Sequence, residues 1–209
     1  MVTDVQGVVA SLRAGDTQAF RTLIERLQQP IIGYLHRLVG DQEVALDLAQ
    51  DTFFQVYKEI GKTSAELALD AWIYRIATNY GLRYLNRKRR WSFIPFSAFG
   101  FTNFAEEEAL LRSGGYDQEY ALHFSSMSPN IEEQTETRML VQQALLQLKP
   151  VDAACLQLHY GDGFNYEQIG KIVGTSPEAV RKRVARGVEK FRAIYGKEVR
   201  MERSYGSSR

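Results

Sequence analysis

The sequence predicts an all-α protein. It reads as two helical domains, 1–90 and 138–209, joined by a long acidic linker, 91–137, with a helix-turn-helix in the C-terminal domain. Three observations predict this. Apolar residues recur at three- and four-residue spacing along both halves, and no stretch alternates as a strand would. Proline is scarce, so few segments are barred from a helix. Between the halves, Trp91–Thr137 holds Glu106–Glu108, Asp117, Glu119, Glu132, Glu133 and Glu136 against Arg112 as its one arginine or lysine.

The first helix starts after Gly15 with Asp16 as N-cap, and Phe20, Leu23, Ile24 and Leu27 form its core stripe. Pro30 should kink or restart it before Ile31, Leu35 and Leu38 continue the pattern. Gly40-Asp41 ends this helix and caps the next, Gln42–Ile60. That helix buries Leu46, Ala49, Phe53, Val56 and Ile60 on one face. Asp47, Gln50, Asp51, Phe54 and Lys58 line another, which reads as a docking patch for a basic helix or as a solvated acidic face.

The connection Gly61–Asp70 leads into Ala71–Arg90, the most informative stretch of this half. On a helix, Ile73, Ile76, Ala77, Tyr80 and Tyr84 form one apolar face and Tyr74, Leu82 and Leu85 a second. Arg75, Asn79, Arg83, Asn86 and Arg90 run between them. A helix buried on two sides with an Arg/Asn stripe left open suits nucleic acid. Arginine neutralises phosphate, and the Asn amide offers a base edge both a donor and an acceptor. A core helix with a solvated edge is the competing reading.

The linker opens on an aromatic run, WSFIPFSAFGFTNF, which suggests a segment that orders on a partner. Beyond it, Met139, Leu140, Ala144, Leu145 and Leu148 mark a helix ending at Lys149-Pro150, followed by Val151–Tyr160. Asn165 caps Tyr166–Val173. Gly174-Thr175 is a tight break, and Ser176-Pro177 starts a final helix to about Tyr195, with a polar, frayed tail beyond. Val180, Val184, Val188, Phe191 and Ile194 are its expected buried face. Arg181, Lys182, Arg183 and Arg186 load the outer side with positive charge. Helix, short glycine turn and basic second helix make a helix-turn-helix, in which the second helix enters the major groove.

Composition excludes several classes. The net charge of +1 announces no global polyanion binding. Cys155, the single cysteine, excludes an intrachain disulfide and a multi-cysteine zinc site and fits a reducing compartment. The N-terminus lacks a signal-peptide pattern and no stretch reaches membrane-spanning length, so a cytoplasmic location is expected. Cys155 and His159 lie one helical turn apart, but a packed thiol and an incidental imidazole explain them better than chemistry. No cofactor or metal is expected.

Residues 163–192, GFNYEQIGKIVGTSPEAVRKRVARGVEKFR, resemble the C-terminal promoter-binding domain of bacterial sigma factors. AFRTLIERL, the segment Asp47–Phe53 and AWIYRIATNYGLRYLNRKRR resemble the N-terminal conserved domain of the extracytoplasmic-function type. The resemblance spans Asp16–Arg90 and Arg138–Tyr195. It implies an alternative sigma factor, not an enzyme, that binds core RNA polymerase and directs initiation at promoters with −10 and −35 elements.

By the resemblance, Asp47, Gln50, Asp51, Phe53 and Phe54 dock on the clamp helices of the largest subunit. The C-terminal domain would meet the flap of the second subunit. Asn79 reads the non-template strand of the −10 element, and Lys62, Thr63 and Ser64 belong to the loop that captures an extruded base. Arg75, Arg83, Arg87, Lys88 and Arg90 follow phosphates. Ser176, Arg181, Lys182, Arg183 and Arg186 serve the −35 element. The linker would thread polymerase near the path of template and nascent RNA, and an anti-sigma factor is a further implied partner. The sequence departs from the family at Arg83, often acidic, at Gly170, usually alanine, and at Asn165, usually serine or threonine. A two-domain helix-turn-helix regulator acting without polymerase is the alternative. A nucleic-acid enzyme is the second, and it lacks any carboxylate or metal cluster.

Overall fold

Capping chemistry fixes the ends of the first two helices. Helix α1 runs Thr17–Val39, with the Asp16 carboxylate accepting from the backbone N–H of Gln18 and Ala19 at 2.9 and 3.2 Å. These bonds satisfy donors that the first helical turn leaves unpaired. Gly40 ends the helix at φ 78°, a left-handed conformation that glycine adopts without a Cβ clash. Asp41 then caps α2, Gln42–Glu59, by accepting from Val44 N–H at 3.1 Å.

Helix α3 is Leu69–Ser92. In the C-terminal half, α4 is Glu136–Leu146, α5 Pro150–Tyr160, α6 Tyr166–Val173 and α7 Pro177–Gly206. The computed structural model describes residues 10–11, 14, 16–60, 68–92 and 136–206. The expected linker 91–137 therefore loses its two ends to α3 and α4, and its remainder, with the aromatic run from residue 93 on, lies outside the described residues.

Four expectations need correction. Pro30 does not break α1, which continues through it. The missing N–H removes one helical hydrogen bond, and burial of Leu27, Ile31 and Ile32 on either side holds the segment. Met139 is exposed, and Leu140, Ala144 and Leu145 form the buried side of α4. Leu46 is half-buried, with Ala45 in the core instead. Helix α7 runs eleven residues past Tyr195, to Gly206. Its buried contacts concentrate early, at Val180 and Val184, whereas Val188, Phe191 and Ile194 are half-exposed.

Helix α1 is the centre of the packing. Between Ile31 and Val39 it buries Ile31, Ile32, Tyr34, Leu35, Leu38 and Val39, too many for a single face. It meets α2, α3, α4 and α5. Full burial of each such side chain contributes roughly 1.5–3 kcal/mol. Gly81 of α3 sits against α1 so closely that an added Cβ would lie 2.8 Å from a Leu38 methyl. One turn away, the Tyr34 and Thr78 hydroxyls bond at 2.8 Å in the core. Residues 1–85 and 133–209 thus form one compact unit.

Candidate nucleic-acid interface

Helix α3 presents its polar stripe as the spacing predicts. Ile73 and Ala77 are fully buried, and Arg75 and Asn79 are exposed. Neither Arg75 nor Asn79 has a partner among the described residues. Arg83 is also exposed, with its guanidinium 5.9 Å from the centre of the Tyr80 ring. This cation–π seat keeps the charge at the surface and gives Arg83 a local role that an acidic residue lacks. Arg87 and Lys88 are exposed further along, and the side chain of Arg90 lies outside the described residues. So do Lys62, Thr63 and Ser64.

The acidic face of α2 flanks this helix in sequence. Asp47 is exposed, and Gln50, Asp51 and Phe54 are half-exposed. Lys58 lies 4.2 Å over the Phe54 ring. Phe53 is the exception among the expected docking residues. It is buried in the core, so it supports the patch from beneath and does not form its surface.

The helix-turn-helix is built from three capping events. Asn165 and Gln168 exchange side-chain-to-backbone bonds at 2.9 and 3.0 Å, a full capping box at the start of α6. Asparagine therefore replaces the usual serine or threonine without loss of the cap. Gly174 ends α6 at φ 70°. The Ser176 hydroxyl accepts from Ala179 N–H at 3.2 Å and starts α7. Gly170 now has a reason. A Cβ there would lie 2.7 Å from the Thr175 carbonyl oxygen, so the turn closes too tightly for alanine without a shift.

On α7, Arg181, Lys182 and Arg186 are exposed. Arg183 differs. Its guanidinium donates to Asp152 of α5 at 3.1 Å and is partly buried, so it is committed to the protein first. Arg186 approaches the same carboxylate at 3.8 Å while staying largely exposed. Asp152 is a residue that sequence reading missed. An aspartate in the first turn of a helix complements the helix dipole anywhere, and nothing in its spacing announces a partner on α7.

The remaining reactive groups are structural. Cys155 is fully buried, and burial pushes its thiol up to about 11, which keeps it protonated. His159 Nδ1 lies 3.0 Å from the Phe164 carbonyl oxygen and therefore carries the proton, while its ring packs on Tyr160 and Tyr166. No His/Cys/Asp/Glu group among the described residues could hold a metal ion. Nor is any described helix long and apolar enough to cross a membrane.

A helix-turn-helix with a basic second helix and a separate helix with an open Arg/Asn stripe, carried on one chain, define a two-part helical DNA-binding protein. The family model described as Sigma-70 region 2 matches residues 23–91, and that described as Sigma-70, region 4 matches residues 138–191. Together these matches cover more than half of the chain, which belongs to the sigma-70 family of RNA polymerase sigma factors and is of the extracytoplasmic-function type.

The chain is 28% identical over 184 residues to the RNA polymerase sigma-H factor of Pseudomonas aeruginosa, covering 88% of this chain and 90% of that one. It is 29% identical over 185 residues to the ECF RNA polymerase sigma-E factor of Escherichia coli K12, with the same coverage of 88% and 90%. In fold it resembles the sigma factor RpoE solved with the anti-sigma factor NepR from Bartonella quintana, at TM-score 0.61 and 16% identity over 85% of this chain and 97% of that one. It also resembles CnrH solved with the cytosolic domain of CnrY, at TM-score 0.61 and 17% identity over 91% of this chain and 96% of that one. The chain is an alternative sigma factor that directs transcription initiation.

Proposed function

We propose a division of labour in which three surfaces of this chain perform initiation. The α2 face of Asp47, Gln50, Asp51 and Phe54 docks on the clamp helices of the largest polymerase subunit. Arg75 and Asn79 on α3, with the loop around Lys62–Ser64, hold the single-stranded −10 element. Lys182 and Arg186 at the start of α7 read the −35 duplex, with Arg181 on phosphate and Arg183 positioned by Asp152. The observation that carries this reading is the exposed, unpartnered pair Arg75 and Asn79 on a helix that buries Ile73, Tyr74, Ala77 and Thr78 beside them. The protein works in the cytoplasm and breaks no covalent bond. An anti-sigma factor, as found with the solved RpoE neighbour, is a further partner.

The physics is differential binding. Extruding a base from the stack costs a few kcal/mol. A pocket and stacking on aromatic faces offset that by roughly 1–3 kcal/mol per base, but only once the strand is open. Binding to melted DNA therefore shifts the equilibrium toward melting. Two DNA contacts on one polymerase raise each other's effective concentration, so each needs only modest affinity. The test is run-off transcription with core polymerase and a candidate promoter. Specific transcripts that depend on the added chain support the reading. Failure to bind core enzyme, together with tight binding to duplex alone, assigns the chain to the polymerase-independent regulators.

A further inference from the structure

The turn from α4 into α5 and the middle of α7 enclose a cleft of about 150 Å³. Leu148, Lys149 and Asp152 line it from the turn, and Arg186, Gly187 and Lys190 line it from α7. Close packing brings the two walls together. Gly187 is buried, and an added Cβ there would crowd a Leu156 methyl at 3.2 Å, so the glycine lets α7 press near α5. Leu148 is buried too and supplies the apolar part of the wall. Lys149 and Lys190 are exposed, and neither has a partner among the described residues.

The charge of this cleft is one-sided. Asp152 is the one carboxylate in the lining, and Arg183, from outside the lining, already engages it at 3.1 Å. Arg186 approaches the same carboxylate at 3.8 Å but keeps 64% of its side chain exposed. Lys149, Arg186 and Lys190 therefore face the cleft as surplus positive charge, carried by two elements far apart in sequence. Like charges gathered in one hollow repel, and an anion between them relieves that cost. The size admits one. A water takes about 30 Å³ of liquid, so the cleft has room for a phosphate group and part of its hydration. Lysine suits such a guest as a point charge, whereas an apolar guest would strip water from the ammonium groups without pairing them.

Its place on α7 indicates where the phosphate comes from. Lys190 lies one helical turn beyond Arg186, about 6 Å along the axis. The major groove is about 12 Å wide and walled by phosphates, so a cation one turn from a base-edge contact meets that wall. Lys149 reaches toward the same wall from a separate element. We propose that the cleft walled by Lys149, Arg186 and Lys190 is a phosphate-binding pocket that grips one backbone phosphate beside the −35 element and thereby sets the register of α7 in the groove. Phosphate contacts position a protein on a duplex without reading its sequence, and a grip from two elements fixes the depth and the angle of the helix together. The proposal rests on the assignment of α7 to the −35 duplex and adds the lysine pair that anchors it.

The experiment is a methylphosphonate scan, which neutralises one backbone phosphate at a time in a duplex bound by core polymerase carrying the full chain. At one position beside the −35 element the neutral linkage should weaken binding by the wild type about five-fold, the worth of one exposed charge-assisted contact. The same linkage should cost the double variant Lys149→Gln, Lys190→Gln nothing, while the other positions cost both chains equally. The double variant should also lower the slope of log affinity against log salt by about 1, alike on every sequence. A scan in which wild type and double variant lose equally at every position overturns the proposal. Inorganic phosphate, titrated into the free full chain, separates the other source. Binding of that ion that the double variant loses, with no coupled position in the duplex, overturns the backbone grip and assigns the pocket to a free phosphate. Sequence discrimination by Arg186→Ala is scored separately. A coupled phosphate with discrimination unchanged in Arg186→Ala refutes the reading role of α7 and leaves the pocket standing.

Discussion

On α3, Arg75 and Asn79 stand exposed without partners among the described residues, whereas on α7 Arg183 is bound to Asp152 at 3.1 Å and Arg186 approaches the same carboxylate at 3.8 Å. Both helices carry positive charge, but on α7 a carboxylate of another helix orients Arg183 and Arg186, whereas on α3 Arg83 rests on the neighbouring Tyr80 ring and Arg75 stands clear. The difference suits the two forms of DNA proposed for them. A duplex presents base edges at fixed positions, so a side chain held in place loses little rotamer entropy on binding. A single strand arrives in many conformations, and side chains free to adapt can follow it. Region 2 accordingly places its rigidity beneath the surface, in the buried Tyr34–Thr78 bond and the close Gly81–Leu38 contact.

The largest effects should come from the residues proposed to read DNA. Arg186→Ala should cut −35 duplex affinity by about 1–3 kcal/mol, roughly 5- to 150-fold, and leave strand opening intact on a template already tethered to polymerase. Equal losses on every duplex sequence would reduce Arg186 to a phosphate contact. Next comes Gly170→Ala, which forces a Cβ to within 2.7 Å of the Thr175 carbonyl unless the turn widens. Such overpacking costs about 1–3 kcal/mol, and thermal denaturation should show a loss of several degrees at region 4 with region 2 helices unchanged.

Asp152→Ala should be milder for stability, about 1–2 kcal/mol, because Arg183 keeps a third of its surface in water. Its sharper effect is on specificity. Freed arginines should bind random duplex more tightly and discriminate the −35 element less well, measured by competition at fixed salt. Unchanged discrimination would remove the contrast between the two helices. In region 2, Gln28 is buried with both amide atoms unpartnered, so Gln28→Leu should stabilise by roughly 1 kcal/mol in urea unfolding.

Much of this was legible in the residues. Capping is local chemistry, so Asp16, Gly40, Asp41, Asn165, Gly174 and Ser176 marked their helix ends correctly. The Arg75–Asn79 stripe followed from periodicity alone. Contacts between elements distant in sequence were not legible. Apolar spacing placed Tyr74 on a second buried face of α3 but gave no sign that Phe164 and Asp162 would cover it. Thr78 and Gly81, through which α3 packs on α1, are residues that a count of apolar side chains passes over. Pro30 misled because a local rule was outweighed by burial on both sides.

The division of labour between the two helices is tested most directly by following −10 opening and −35 binding on one promoter with polymerase carrying the Asn79→Ala chain. Unpaired thymines report the first by permanganate reactivity, and footprinting upstream reports the second. The structure predicts a loss of −10 reactivity of tenfold or more with the upstream footprint retained. Retained opening, or loss of both signals together, would contradict the assignment of Asn79 to the single strand.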